Sequence, residues 1–73
     1  MTPELLTEAG EALYGTRWHT EIARLVGRPQ QNVSQWAAGA RTIPADVWPI
    51  IEKELRTRAK IAKAVAEKIK KRC

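Results

Sequence analysis

The stretch His19 to Gly39, HTEIARLVGRPQQNVSQWAAG, constrains this chain more than any other. Ala23 is small enough for a second helix to cross close to the first. Gly27 follows four residues later, where a chain leaving a helix often needs the left-handed φ that glycine adopts cheaply. Ile22 and Val26 stand one turn apart and give the first helix an apolar face. Val33 and Trp36 share one face of the segment beyond the turn. Pro29 presets φ and lacks a backbone N–H, so it belongs at or beside the start of the second helix. The expectation is a helix, a tight turn and a second helix over residues 19–39. This is the helix-turn-helix arrangement, in which the second helix is presented to a DNA major groove.

Ile22-Ala23, Gly27, Val33, Trp36 and Gly39, followed by Arg41-Thr42-Ile43-Pro44, resemble the Cro/Xre-type phage repressor helix-turn-helix family. The resemblance covers about Trp18 to Leu55, half of the chain. It implies a small transcriptional regulator of phage or mobile-element style, in a bacterial or phage-infected cytoplasm. It also implies that His19 occupies a position where many relatives place a phosphate-touching Gln. The loop with Arg41 and Thr42 would then run along the DNA backbone. Arg28 departs from the family, which often has an apolar residue there.

The residues carry a reading of their own. With Val33 and Trp36 turned inward, Gln30, Gln31, Asn32, Ser34 and Gln35 face outward, mainly at the end of the helix that meets base edges in such docking. An amide offers a donor and an acceptor in one plane, a match for adenine N6 and N7. Five uncharged amide or hydroxyl side chains are unusual for a merely solvated helix face, where Lys and Glu dominate. Gln30-Gln31 with Gln35 also resembles the glutamine pattern of some lambdoid phage repressors. The DNA backbone candidates are His19 and Thr20 near a helix N-terminus, Arg28 at the mouth of the turn, and Arg41 with Thr42. A solvent-exposed role competes for His19 and Arg28.

Thr2-Pro3-Glu4 opens like a helix N-terminus, with a cap, a first-position proline and an acid at the positive end of the dipole. Leu5, Leu6, Ala9, Ala12 and Leu13 recur at helical spacing, and Gly15 ends the run. Gly10 costs this helix up to about 1 kcal/mol relative to Ala. Glu4, Glu8 and Glu11 form an acidic face expected to point away from DNA. Thr16 is the expected cap of the next helix, with Trp18 packing inward. After Gly39, Ile43 plugs the core, and Pro44 starts a further helix with Asp46 in its first turn. Val47, Trp48, Ile51 and Leu55 close the core. Pro49 leaves two alternatives: a short turn before a helix starting near it, or a bend in a longer helix.

From Arg56 the pattern changes. Residues 56–72 hold eight Lys or Arg and one Glu, whereas residues 1–15 hold three Glu and no Lys or Arg. Ala62, Val65 and Ile69 make a narrow apolar seam, extended by Arg58 or Ala59. It suits packing on the first helix or pairing with a second copy, and its basic face adds non-specific DNA affinity. A membrane-surface helix lacks an aromatic anchor beyond Trp48.

The expected fold is therefore all-α: one domain over residues 1–73, a compact four-helix helix-turn-helix unit with an extended basic C-terminal helix over about residues 45–71. Seventy-three residues bury a small core, which dimerisation supplements. The net charge of +5 suits a polyanion. No secretory signal or membrane-length apolar run is visible. The lone Cys73 cannot form an internal disulfide and fits an intracellular protein. One His and one Cys cannot build a zinc site. No paired-carboxylate site, triad or phosphate-binding glycine loop points to an enzyme. No cofactor or small-molecule ligand is expected. The expected partners are a pseudo-palindromic double-stranded DNA operator and a second copy of the chain, with the antitoxin of a toxin–antitoxin pair as the alternative.

Overall fold

The structure, a computed structural model, describes residues 2–72, so the expectations for Cys73 fall outside it. Among the described residues the chain is all-helical. α1 (Pro3–Tyr14), a 3-10 turn (Gly15–Arg17), α2 (Trp18–Val26), α3 (Gln30–Ala37) and α4 (Val47–Arg72) follow one another without a strand. Local chemistry sets most of the boundaries. The Thr2 hydroxyl accepts a hydrogen bond from the Leu5 N–H at 3.1 Å, and Pro3 takes the first helical position of α1. α2 closes over Gly27 in the left-handed region (φ 71°, ψ 34°), and the Arg28 N–H reaches back to the Ala23 carbonyl at 3.0 Å. Pro29 is extended (φ −61°, ψ 143°), and its carbonyl accepts from the Asn32 N–H at 3.0 Å to begin α3.

The core joins all four helices. Leu6 and Ala9 of α1, Trp18, Ile22 and Ala23 of α2, Val33 and Trp36 of α3, and Val47 and Ile51 of α4 are buried together. Leu13, Ile43, Trp48 and Leu55 pack around them, half-buried.

Gly10 has a role that helix propensity does not reveal. It is buried, and the Trp18 indole lies against it. A Cβ added there would stand 2.3 and 2.4 Å from two ring carbons. The glycine lets the ring of α2 seat directly on the backbone of α1.

Three expectations are corrected. Thr16 does not cap α2. It sits inside the 3-10 turn, α2 starts at Trp18, and Arg17 precedes it without a side-chain cap. A capping side chain needs the extended backbone of an N-cap, which a helical turn does not offer. Pro44 does not start a helix either. Pro44 to Asp46 form a turn closed by the Val47 N–H on the Pro44 carbonyl at 3.3 Å, and α4 begins at Val47. Pro49 is thereby the third residue of α4, where its missing N–H would have had no intrahelical partner. Finally, the fourth helix of the compact unit and the basic C-terminal helix are one helix, so the expected count is one too many.

α4 is 26 residues long, about 39 Å at the rise of an α-helix. Its first third covers the core. Every described residue from Arg56 onward is exposed. The helix projects from the body and gives the molecule extents of 48 × 22 × 19 Å. Its seam does not pack on α1, whose Leu5 stays exposed. One contact marks where the two part: the Arg58 guanidinium lies over the Tyr14 ring at 5.4 Å and is paired with Glu54 at 3.1 Å.

Candidate nucleic-acid interface

Burial of Val33 and Trp36 sets the rotation of α3 about its axis. Gln30, Gln31 and Ser34 are exposed as a result, while Asn32 and Gln35 flank them half-buried. The five-residue row is thus three outward side chains with two at its margins. None is charged, and none forms a side-chain hydrogen bond or ion pair within the described residues. The amides of Gln30 and Gln31 remain open to an external partner on both their donor and acceptor sides.

Arg41 and Thr42 are exposed in the loop after α3. Gly39 turns the chain there with φ 78°. The Ala40 and Arg41 N–H groups then donate to the Gln35 carbonyl at 2.9 and 3.3 Å. These bonds hold Arg41 at the C-terminal end of α3, about 12 Å from the end that carries Gln30 and Gln31. The structure therefore places Gln30 and Gln31 at the opposite end of one short helix from Arg41.

The N-terminal end of α2 contributes a third group. His19, half-buried, stacks on Trp18 with ring centroids 4.0 Å apart, so the buried indole orients the imidazole. Thr20 next to it is exposed. Arg17, exposed at the same helix end, was not among the sequence candidates. A basic residue directly before a helix start was the available signal, obscured by placing the cap at Thr16.

Arg28 stands apart from these groups. Its Nη2 pairs with Asp46 Oδ2 at 2.8 Å, which ties the turn between α2 and α3 to the start of α4. The guanidinium thus has a structural partner, and its side chain is 35 % exposed. The acidic face of α1 borders α3 at Ala37, its C-terminal end, where Glu4, Glu8 and Glu11 share a shallow surface with Pro3 and Thr7. A polyanion over α3 is favoured toward the N-terminal end, where the helix dipole is positive and these carboxylates are remote.

Among the described residues no three His, Cys, Asp or Glu side chains are grouped to hold a metal ion. No helix among the described residues is long and apolar enough to cross a membrane. Comparison of the chain with family models, with curated proteins and with solved structures finds no match.

Proposed function

We propose that this chain is a sequence-specific double-stranded DNA-binding transcriptional regulator of the Cro/Xre helix-turn-helix type, a dimeric repressor that occludes a promoter in a bacterial or phage-infected cytoplasm. The observation that carries the reading is the charge-free face of α3. Gln30, Gln31 and Ser34 point outward from a helix whose opposite face is held by Val33 and Trp36. Supporting it are the left-handed Gly27 between α2 and α3 and the exposed Arg41 and Thr42 beyond α3.

The mechanism follows from the chemistry of the groups. Gln30 and Gln31 read adenine edges through paired amide hydrogen bonds, with Asn32, Ser34 and Gln35 alongside. Arg41, Thr42, His19 and Thr20 bind phosphates and set the register, contributing salt-dependent affinity with little sequence information. Two α3 helices of a dimer reach successive major grooves about 34 Å apart on a pseudo-palindrome, and the bound dimer blocks polymerase.

Selection of bound duplexes from a random DNA library at near-physiological salt tests the proposal. Enrichment of an inverted repeat with half-sites about one helical turn apart is the expected result. Retention of all duplexes alike, without enrichment, would refute sequence-specific readout.

The second reading is a protein-binding module such as an antitoxin, with DNA binding secondary. The projecting part of α4, with Ile61, Val65 and Ile69 exposed, favours it as a docking segment. Recovery of a stoichiometric protein partner together with failure of the DNA selection would move the assignment there.

A further inference from the structure

Charge divides this chain along its length. Residues 1–59 hold seven Lys or Arg and seven Asp or Glu, whereas residues 60–72 hold six Lys or Arg and one Glu. The whole net charge of +5 therefore lies in the last stretch of α4. Within the neutral part most cations are already paired. Arg24, Arg28, Arg56 and Arg58 lie 2.8 to 3.3 Å from Glu21, Asp46, Glu52 and Glu54. The three left, Arg17, Arg41 and Lys53, are matched in number by Glu4, Glu8 and Glu11. α3 carries no charge at all. A neutral body exerts little long-range pull on a duplex that bears a negative charge every ~1.7 Å of its axis. That pull has to come from residues 60–72, whose six cations are exposed and enter no ion pair within the described residues.

Four of these cations form a row. Lys60, Lys63, Lys70 and Lys71 share one side of α4 at helical period, with Glu67 among them, and Ile61, Val65 and Ile69 take the opposite side. The row spans about 17 Å. Two contacts fix where it leaves the body. Asp46, just before α4, pairs with Arg28 beyond the C-terminal end of α2. Arg58 lies over Tyr14, which directly precedes the 3-10 turn leading into α2. α4 thus runs antiparallel to α2 and emerges at the N-terminal end of α2, where Arg17, His19 and Thr20 stand. The row continues outward from the end of the body that carries these phosphate candidates. A bilayer surface would take the other side of the helix. An interfacial helix buries its apolar side, which here would turn the lysine row toward water and away from anionic headgroups.

We propose that the lysine row of α4 is a second DNA contact, lying along the sugar-phosphate backbone outside the bases that α3 reads. The two surfaces divide the work. The uncharged amides of α3 select sequence, and the row supplies the larger part of the salt-dependent affinity, the same for every sequence. The inference rests on the proposed function in taking double-stranded DNA as the polyanion. It uses no side chain of α3 and does not involve Arg41.

The test is binding of the full chain to a random-sequence duplex, followed by fluorescence anisotropy across a salt series. The combined variant Lys60→Gln, Lys63→Gln, Lys70→Gln and Lys71→Gln is expected to flatten the dependence of log affinity on log salt by about three to four units, at about 0.9 per lost phosphate contact. All four sites are exposed, so helical circular dichroism stays that of the wild type. Glu67→Lys, inside the row, should steepen the dependence by about one unit. Arg24→Gln, a cation removed from the body, should change it by less than about half a unit. An unchanged slope in the combined variant overturns the proposal. So does an Arg24→Gln effect as large as that of each lysine in the row. A wild type that binds vesicles of phosphatidylserine and phosphatidylcholine but not the duplex overturns it as well. A flattened slope without enrichment in the DNA selection upholds the row and removes the sequence-specific reading. Enrichment with an unchanged slope keeps that reading and removes the row.

Discussion

Gly10→Ala opposes helix propensity to packing, with a predicted sign that only the fold supplies. In an isolated helix the change stabilises by up to about 1 kcal/mol. Here the new methyl would stand 2.3, 2.4 and 2.8 Å from three carbons of the Trp18 ring. Ordinary carbon contacts are about 3.5–4.0 Å, so the ring must retreat by more than about 1 Å. Trp18 is 3 % exposed and enclosed by the core. Overpacking of this kind costs ~1–3 kcal/mol, and a stiff indole against backbone belongs at the upper end. Subtracting the propensity gain leaves a net loss of about 2 kcal/mol. For a domain of this size that lowers Tm by roughly 8–16 °C. Urea unfolding followed by tryptophan fluorescence and by circular dichroism measures it, with Ala12→Gly on the exposed face of α1 calibrating propensity in the same helix. A midpoint for Gly10→Ala equal to or above wild type would refute the claim that Gly10 exists for Trp18.

The remaining predictions concern the surface. Gln31→Ala is expected to lose about 1–3 kcal/mol at the selected DNA site and to relax the preference at one base pair, measured by competition binding against single-base variants; uniform weakening on all sequences would count against readout by Gln31. Arg41→Ala should weaken every sequence alike and flatten the dependence of log affinity on log salt by about one unit; an unchanged slope would remove Arg41 from the phosphate contacts. Tyr14 has its phenol pKa raised above 10.0 by burial first and by the Glu54 charge second, against the opposing Arg58. The raised value means that the unfolded chain releases this proton first, so the contribution is whole below pH 10 and is lost as pH rises through the folded value. Tyr14→Phe should flatten this part of the alkaline stability profile, and a profile as steep as wild type would contradict it.

Features that depend on neighbours in sequence were legible before the fold was known. The Thr2 cap and first-position Pro3, the left-handed Gly27 and the inward Val33 and Trp36 each arise from short-range sterics, hydrogen bonding or helical periodicity, which a few residues encode. The outward direction of Gln30, Gln31 and Ser34 follows from the same periodicity. Longer-range partners were hidden. Arg28 reads as a free cation until the fold brings in Asp46, 18 residues away. His19 reads as a phosphate contact or a solvent-exposed side chain until Trp18 is buried beneath its ring. Thr16 reads as a cap because its residue type suits one, yet the approach of Trp18 to Gly10 is accompanied by a 3-10 turn at that position.

The sequence by itself determined the all-α class, the two-helix unit around Gly27 and which face of α3 meets solvent, because helical period and turn chemistry are local. Tertiary structure decided the rest. It turned Gly10 from a weak point in α1 into the seat of an indole, and it placed Arg41 at the end of α3 opposite Gln30 and Gln31. It also left the second half of the α4 seam bare. The periodic pattern is the same along the whole helix, and whether a stretch of it is covered depends on how far its neighbours reach. The apolar cover from α1 and the body ends at Leu55, so identical patterning becomes core on one side of that residue and open surface on the other.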